Sequence, residues 1–189
     1  LSHVGSVGTP LTGVQVAIMD PDGRLLPPGE QGEIVYRGPS TMQEYLHDEA
    51  ATGTAFAHGW FHSGDVGSFG DDGVLWFADR YKDVIKTGGE NVASIEVERA
   101  VYDAEPGVAE VVVVGLPHAR WSEAITAVVV PKPDTEIDPE KLTAALKDRL
   151  DGYKVPKAVI VADELPRTST GKIQKNVVRD RHAMHYGGR

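Results

Sequence analysis

Residues 80–91 read Arg80-Tyr81-Lys82-Asp83-Val84-Ile85-Lys86-Thr87-Gly88-Gly89-Glu90-Asn91. The run sets charged side chains around a Gly-Gly pair, directly after the apolar Val74-Leu75-Trp76-Phe77. It also separates a β-rich first part of the chain from a second part in which helical and strand patterns alternate. Taken alone, it reads either as a β-hairpin whose glycines supply positive φ at the turn or as a joint between two folding units.

Upstream of this run the signals are those of a sheet. Val14, Val16 and Ile18 alternate with Gln15, Ala17 and Met19. Asp20-Pro21-Asp22-Gly23 then supplies turn residues before Arg24 to Leu26 resumes, which predicts a hairpin with one buried face. Glu33 to Arg37 reads as the next strand, Asp48 as the N-cap of a short helix to about Ala55, and Val74 to Phe77 as a further strand. These strands are too few to make a whole domain. Downstream, Ser94 is placed to cap a helix with Val97, Ala100, Val101 and Ala104 on one side, stopped by Pro106-Gly107. Val111 to Leu116 and Ala124 to Val130 are apolar strands. Asp138 and Pro139 open a second helix with Leu142, Ala145, Leu146 and Leu150 on one face. Ala158 to Val161 is a short strand, and Gly171 to about His182 a last, basic helix. The expected fold class is α+β, its second part combining a mixed three-stranded sheet, helices and a β-hairpin. The Gly187-Gly188-Arg189 tail is expected to be disordered.

At 189 residues the chain has room for one to two folding units, and a hydrophobic fraction of 41% is ample for a core. No apolar run approaches the roughly 18–20 residues that cross a bilayer, and no secretory signal pattern opens the chain. A cytoplasmic protein without a transmembrane segment is the default expectation. The absence of cysteine rules out disulfides, thiol nucleophiles and thiolate metal sites. A net charge of -9 argues against nucleic acid as a partner. The charge is uneven: residues 1–152 carry 11 Lys/Arg against 25 Asp/Glu, or -14, and residues 153–189 carry 8 against 3, or +5. The basic end is therefore the part expected to meet an anion, unless it is only a solvated helix. The chain starts at Leu1 without a methionine, so a fragment of a longer protein is one expectation.

Three side chains stand out for chemistry. Asp65 lies in Ser63-Gly64-Asp65, where the glycine lets the backbone bend and the carboxylate can accept two hydrogen bonds from vicinal hydroxyls; the alternative is an aspartate in a surface turn. Arg80 offers five fixed donors matched to oxygen acceptors. Lys172 closes Leu165-Pro166-Arg167-Thr168-Ser169-Thr170-Gly171-Lys172, in which a phosphate-binding P-loop is excluded because Pro166 and Ile173 occupy positions that need glycine and Ser/Thr. The histidines show no ligand spacing beyond His58 and His62, which straddle Gly59 in an apparent loop, so a metal-dependent hydrolase has little support and no metal ligand is assigned.

Three stretches in this order, Gly59-Trp60-Phe61-His62-Ser63-Gly64-Asp65, the 80–91 run and the closing lysine motif, resemble the adenylate-forming superfamily of acyl-CoA synthetases, luciferases and peptide-synthetase adenylation domains. Gly5-Ser6-Val7-Gly8-Thr9-Pro10 and Gly32-Glu33-Ile34 also fall in family order. The resemblance implies that residues 1–81 are the β-rich C-terminal portion of the large AMP-binding domain and residues 82–189 the small mobile C-terminal domain. It places Asp65 and Arg80 at the nucleotide, Lys172 as the catalytic ammonium of adenylation on a flexible loop, and Lys82 as the hinge, where aspartate is common and lysine a variant. Gly88 and Gly89 would line the passage of the phosphopantetheine arm, with Trp121 beside the thiol entry, although Trp121 also reads as a core residue. Glu44 and Ser122 stand where the family frequently has glycine.

The function so implied is part of an ATP-dependent, AMP-forming acyl-CoA synthetase, an acid-thiol ligase most like fatty-acyl-CoA ligases. ATP and CoA would be its co-substrates, a small carboxylic acid its substrate, and Mg2+ would be held by ligands outside this chain. Because the family's phosphate loop and acyl pocket would lie upstream of Leu1, the chain is expected to be inactive alone and to need that N-terminal part as partner. Lys86-Thr87-Gly88-Gly89-Glu90-Asn91 favours a CoA ligase over an adenylation domain; luciferase-like chemistry stays open. The rival reading is a non-catalytic binding module that keeps the small-domain fold.

Overall fold

The computed structural model describes residues 3–187. The expected disorder of the tail therefore falls largely on Gly188 and Arg189, outside the described residues. The chain divides into two compact units, Leu1–Lys82 and Asp83–Arg189. The architecture is α+β, as expected.

The first unit is an antiparallel sheet of β1 (Gln15–Met19), β2 (Leu25–Leu26), β3 (Gly32–Arg37), β4 (Phe61–Phe69) and β5 (Leu75–Arg80), in the order β2-β1-β3-β4-β5. Alternation along β1 and β3 sends Ile18 and Ile34 to one face with Leu75, and Met19 and Val35 to the other with Trp60. Asp48 caps α1 (Glu49–Ala55), accepting from the Ala51 N–H at 2.9 Å. A 3-10 turn, Ala57–Gly59, leads into β4. The strand reading of the sequence lacks β4 altogether, and His62, expected in a loop, lies on it. Its sequence, Phe-His-Ser-Gly-Asp-Val-Gly-Ser-Phe, hides the strand because register shifts against both neighbours break the period of two.

The second unit is built on one sheet of β6 (Ile85–Thr87), β7 (Glu90–Val92), β8 (Val108–His118), β9 (Ser122–Pro131) and β10 (Ala158–Val161). The long strands form the mixed core of the sheet, β8 antiparallel and β10 parallel to β9. The hairpin of β6 and β7 turns through Gly88 and Gly89, with φ of 62° and 92°. It joins the same sheet through Thr87 opposite Ser122. This hairpin is only partly solvated, because Ile85, Thr87 and Val92 are buried.

Both faces of the sheet are covered. Val111 and Val113 face α2 (Ser94–Ala104) and α3 (Pro139–Leu146) in one cluster with Val97, Val101, Leu142 and Leu146. Val112, Val114 and Leu116 face the opposite way and pack with Leu165 and with Val178 of α4 (Lys175–His182). Asp138 caps α3 as expected, accepting from the Glu140 and Lys141 N–H groups, and these bonds hold its carboxyl below the usual range. Leu150 packs on the same cluster from beyond the end of α3. Ser94 does not cap α2: it is the first helical residue, and its hydroxyl is taken by Lys175 of α4. The last helix starts at Lys175 rather than Gly171, because residues 168–172 form a tight turn.

Candidate active site

In the first unit, Asp65 and Arg80 are register partners on β4 and β5, with Arg80 Nε 3.5 Å from Asp65 Oδ1. The sheet presents Asp65 through an irregularity. Between the pairs Glu33 with Val66 and Val35 with His62, the single residue Ile34 of β3 faces Ser63, Gly64 and Asp65 of β4. Gly64 has a φ of 72°, which the bend requires and a side chain disfavours. The Glu33 carboxylate takes the Gly64 N–H at 2.9 Å, and Ser63 Oγ accepts the Asp65 N–H at 3.0 Å. Tyr36, which sequence reasoning missed, lies close enough that burial and then the Asp65 charge raise its phenol. No local pattern marks it, since only the register of β3 on β4 brings it there.

In the second unit, Lys172 ends a cross-linked turn. The Thr168 N–H donates to the Lys172 carbonyl at 2.8 Å, the Gly171 N–H to the Thr168 carbonyl at 2.9 Å, and the Lys172 N–H to Thr168 Oγ1 at 3.1 Å. Arg167 Nη1 donates to the Gly171 carbonyl, and its Nη2 lies 2.7 Å from Glu110 Oε2 on β8. Lys172 is exposed, and its ammonium makes no hydrogen bond or ion pair among the described residues. Several of the surrounding cations are engaged internally: Lys154 pairs with Glu96, Lys175 with Glu98, and Arg179 with Asp83. Those pairs engage part of the basic end expected to meet an anion and leave the Lys172 ammonium outside them.

Gly88 and Trp121 meet. The Gly88 N–H donates to the Trp121 carbonyl at 2.8 Å, and a Cβ on Gly88 would stand 3.3 Å from the indole; Gly89 has open space around it. Trp121 is half-buried, outside both core clusters of its unit. Its ring lies 4.5 Å from the Arg120 guanidinium and 5.2 Å from the Lys157 ammonium. Partial burial pulls Lys157 below the usual lysine range. Lys157 was not singled out from sequence, where it is one of several cations in the basic end. Lys82 is exposed and closes the first unit. Among the described residues no group of three His, Asp or Glu side chains converges as a metal site. His58 and His62 stand with ring centroids 6.2 Å apart. Nor is any described helix long and apolar enough to cross a membrane.

Comparison with known proteins places the chain in a family. The family model for the AMP-binding enzyme matches residues 1–46, and that for the AMP-binding enzyme C-terminal domain matches residues 96–172. The chain belongs to the AMP-binding enzyme family. It is 47% identical over 178 residues to a feruloyl-CoA synthase of an Amycolatopsis species, covering 94% of this chain and 36% of that protein. It is 40% identical over 183 residues to a long-chain-fatty-acid–CoA ligase of Mycobacterium tuberculosis, covering 97% and 36%. Among solved structures it resembles ATP-bound MatB from Rhodopseudomonas palustris, with a TM-score of 0.90 and 39% identity over 96% of this chain and 36% of that one. The chain thus spans about a third of the length of these relatives.

Proposed function

We propose that this chain is the C-terminal part of an ATP-dependent, AMP-forming acyl-CoA synthetase. Residues 1–81 are read as the end of the large AMP-binding domain and residues 82–189 as its small mobile domain, with Lys82 as the hinge. The observation that carries the reading is the exposed, unengaged ammonium of Lys172, set on a cross-linked turn in a segment whose neighbouring cations are paired off. In the first half-reaction a carboxylate attacks the α-phosphorus of ATP and pyrophosphate leaves. Lys172 is positioned by its turn to pair with the negative charge gathering on the phosphoryl oxygens. Asp65 accepts hydrogen bonds from the ribose hydroxyls, and Arg80 supports that carboxylate or reaches the phosphates. In the second half-reaction the CoA thiol attacks the acyl-adenylate and AMP leaves. Gly88, Gly89 and Trp121 are read as the passage for the pantetheine arm.

Mg2+, which such a reaction uses to neutralise phosphate charge, would be held by residues outside this chain. The location that suits these substrates is the cytoplasm. Pyrophosphate exchange into ATP, measured on the full-length enzyme with carboxylic acids of graded chain length, tests the reading. Exchange dependent on one class of acid is expected, while residues 1–189 alone release no pyrophosphate. A full-length enzyme with no exchange for any acid would favour the non-catalytic module.

A further inference from the structure

The irregular pairing of β3 with β4 creates a problem of hydrogen bonding whose solution uses side chains the reaction itself does not need. Where Ile34 faces three residues, the β3 backbone does not supply partners for successive N–H groups of β4. Glu33 Oε1 accepts from Gly64 at 2.9 Å, and its Oε2 lies 2.8 Å from His62 Nδ1. His62 Nε2 lies 3.1 Å from the Ala57 carbonyl, so the ring that steadies the carboxylate is itself anchored to the turn before β4. Ser63 Oγ closes the other side, donating to the Ile34 carbonyl at 2.5 Å while accepting from the Asp65 N–H at 3.0 Å. On the far edge the Tyr81 N–H donates to the Gly64 carbonyl at 2.8 Å, directly beside Arg80. The Glu33 and His62 side chains are about four-fifths buried, so the contact between them is shielded from competing water.

We propose that Glu33 and Ser63 are positioning residues that fix the direction of the Asp65 carboxylate, with His62 orienting Glu33. This rests on the reading of Asp65 as the acceptor of the ATP ribose. A carboxylate suits the place because its two oxygens serve two donors at once. Its amide isostere also fits: a glutamine oxygen can accept from Gly64 while its NH2 donates to His62 Nδ1, leaving Nε2–H for the Ala57 carbonyl. An alanine can do neither, which frees Gly64 and lets Asp65 swing. Ribose contacts are made in ground and transition states alike, so their misplacement weakens ATP binding more than it slows turnover.

The test is steady-state kinetics of the full-length enzyme, with Asp65→Ala, Glu33→Ala, Glu33→Gln and Ser63→Ala, each checked for folding by circular dichroism. For Glu33→Ala, KM for ATP is expected to rise on the order of ten-fold, the scale of one charge-assisted hydrogen bond, with kcat changed far less. Glu33→Gln is expected to restore most of the loss, a rescue that a purely electrostatic role of the carboxylate would not permit. If Glu33→Ala does not fold, Ser63→Ala decides: a raised KM for ATP with kcat retained supports the proposal, and an unchanged KM overturns it. A Glu33→Ala enzyme that folds with an unchanged KM for ATP also overturns it, as does Glu33→Gln as impaired as Glu33→Ala. An unchanged KM in Asp65→Ala overturns the ribose reading and this inference together. A raised KM in Asp65→Ala with none in Glu33→Ala or Ser63→Ala overturns the inference alone.

Discussion

Arg179 Nη2 lies 2.7 Å from Asp83 Oδ1, joining the helix that follows the Lys172 turn to the first residue of the second unit. One helical turn earlier, Lys175 Nζ lies 2.9 Å from Glu98 Oε1, and the same oxygen accepts the Val113 N–H at 3.0 Å. Both cations stand on one face of α4, four residues apart. The segment carrying Lys172 is thus bound at its exit to α2, to β8 and to the start of its own unit.

Arg179→Met should lower the stability of this unit by about 2 kcal/mol, because Asp83 is buried and loses its guanidinium partner. Asp83→Asn combined with Arg179→Met should cost less than the sum of the two single changes. A denaturant double-mutant cycle with no coupling would show that the pair contributes nothing.

In the full-length enzyme, Lys172→Ala should slow adenylation on the order of 100-fold or more while leaving transfer from a supplied acyl-adenylate to CoA largely intact. Gly89→Leu should do the reverse, after correction for the strain of a side chain at a φ of 92°. Equal losses in both half-reactions for both variants would contradict separate roles for the two loops.

Ser122 holds a φ of 66°, a conformation natural to glycine. Ser122→Gly should therefore stabilise the second unit by roughly 0.5–1 kcal/mol, the relief of left-handed strain less the entropy of the added glycine. Urea unfolding of the two proteins checks this, and a destabilised glycine variant would mean that the Ser122 side chain contributes more than its backbone costs.

Tyr186 sits with its hydroxyl 2.9 Å from the buried Thr126 Oγ1, and burial raises its phenol above 10.0 despite that hydrogen bond. The folded state therefore keeps a proton that the unfolded chain releases. Stability is fully present below pH 10 and is lost as pH rises through the folded value. Tyr186→Phe should flatten that alkaline slope while costing some stability at neutral pH; an unchanged slope would assign it to other groups.

Much of the second unit was legible because its signals are local. Asp138 followed by Pro139 marks a helix start, Gly88-Gly89 a hairpin turn, and the valine runs of β8 and β9 a buried sheet. The β4 strand was not legible, since its glycines and polar residues belong to bulges that appear only once β3 and β5 are in place. Ser94 misled for a related reason: its hydroxyl answers to Lys175, 81 residues away. The motifs around Asp65 and Lys172 could be found by resemblance. The Glu33 and His62 pair, 29 residues apart, and the spending of the basic end on Glu96, Glu98, Glu110 and Asp83 needed the sheet register and helix docking.

The opposed linings of β8 restrict how this polypeptide can change in length. Deleting or inserting one residue between Val111 and Leu116 would exchange the side chains meant for α2 and α3 with those meant for α4. The strand should accept many swaps among aliphatic residues yet reject a single-codon insertion, so that length variation is confined to the loops at either end.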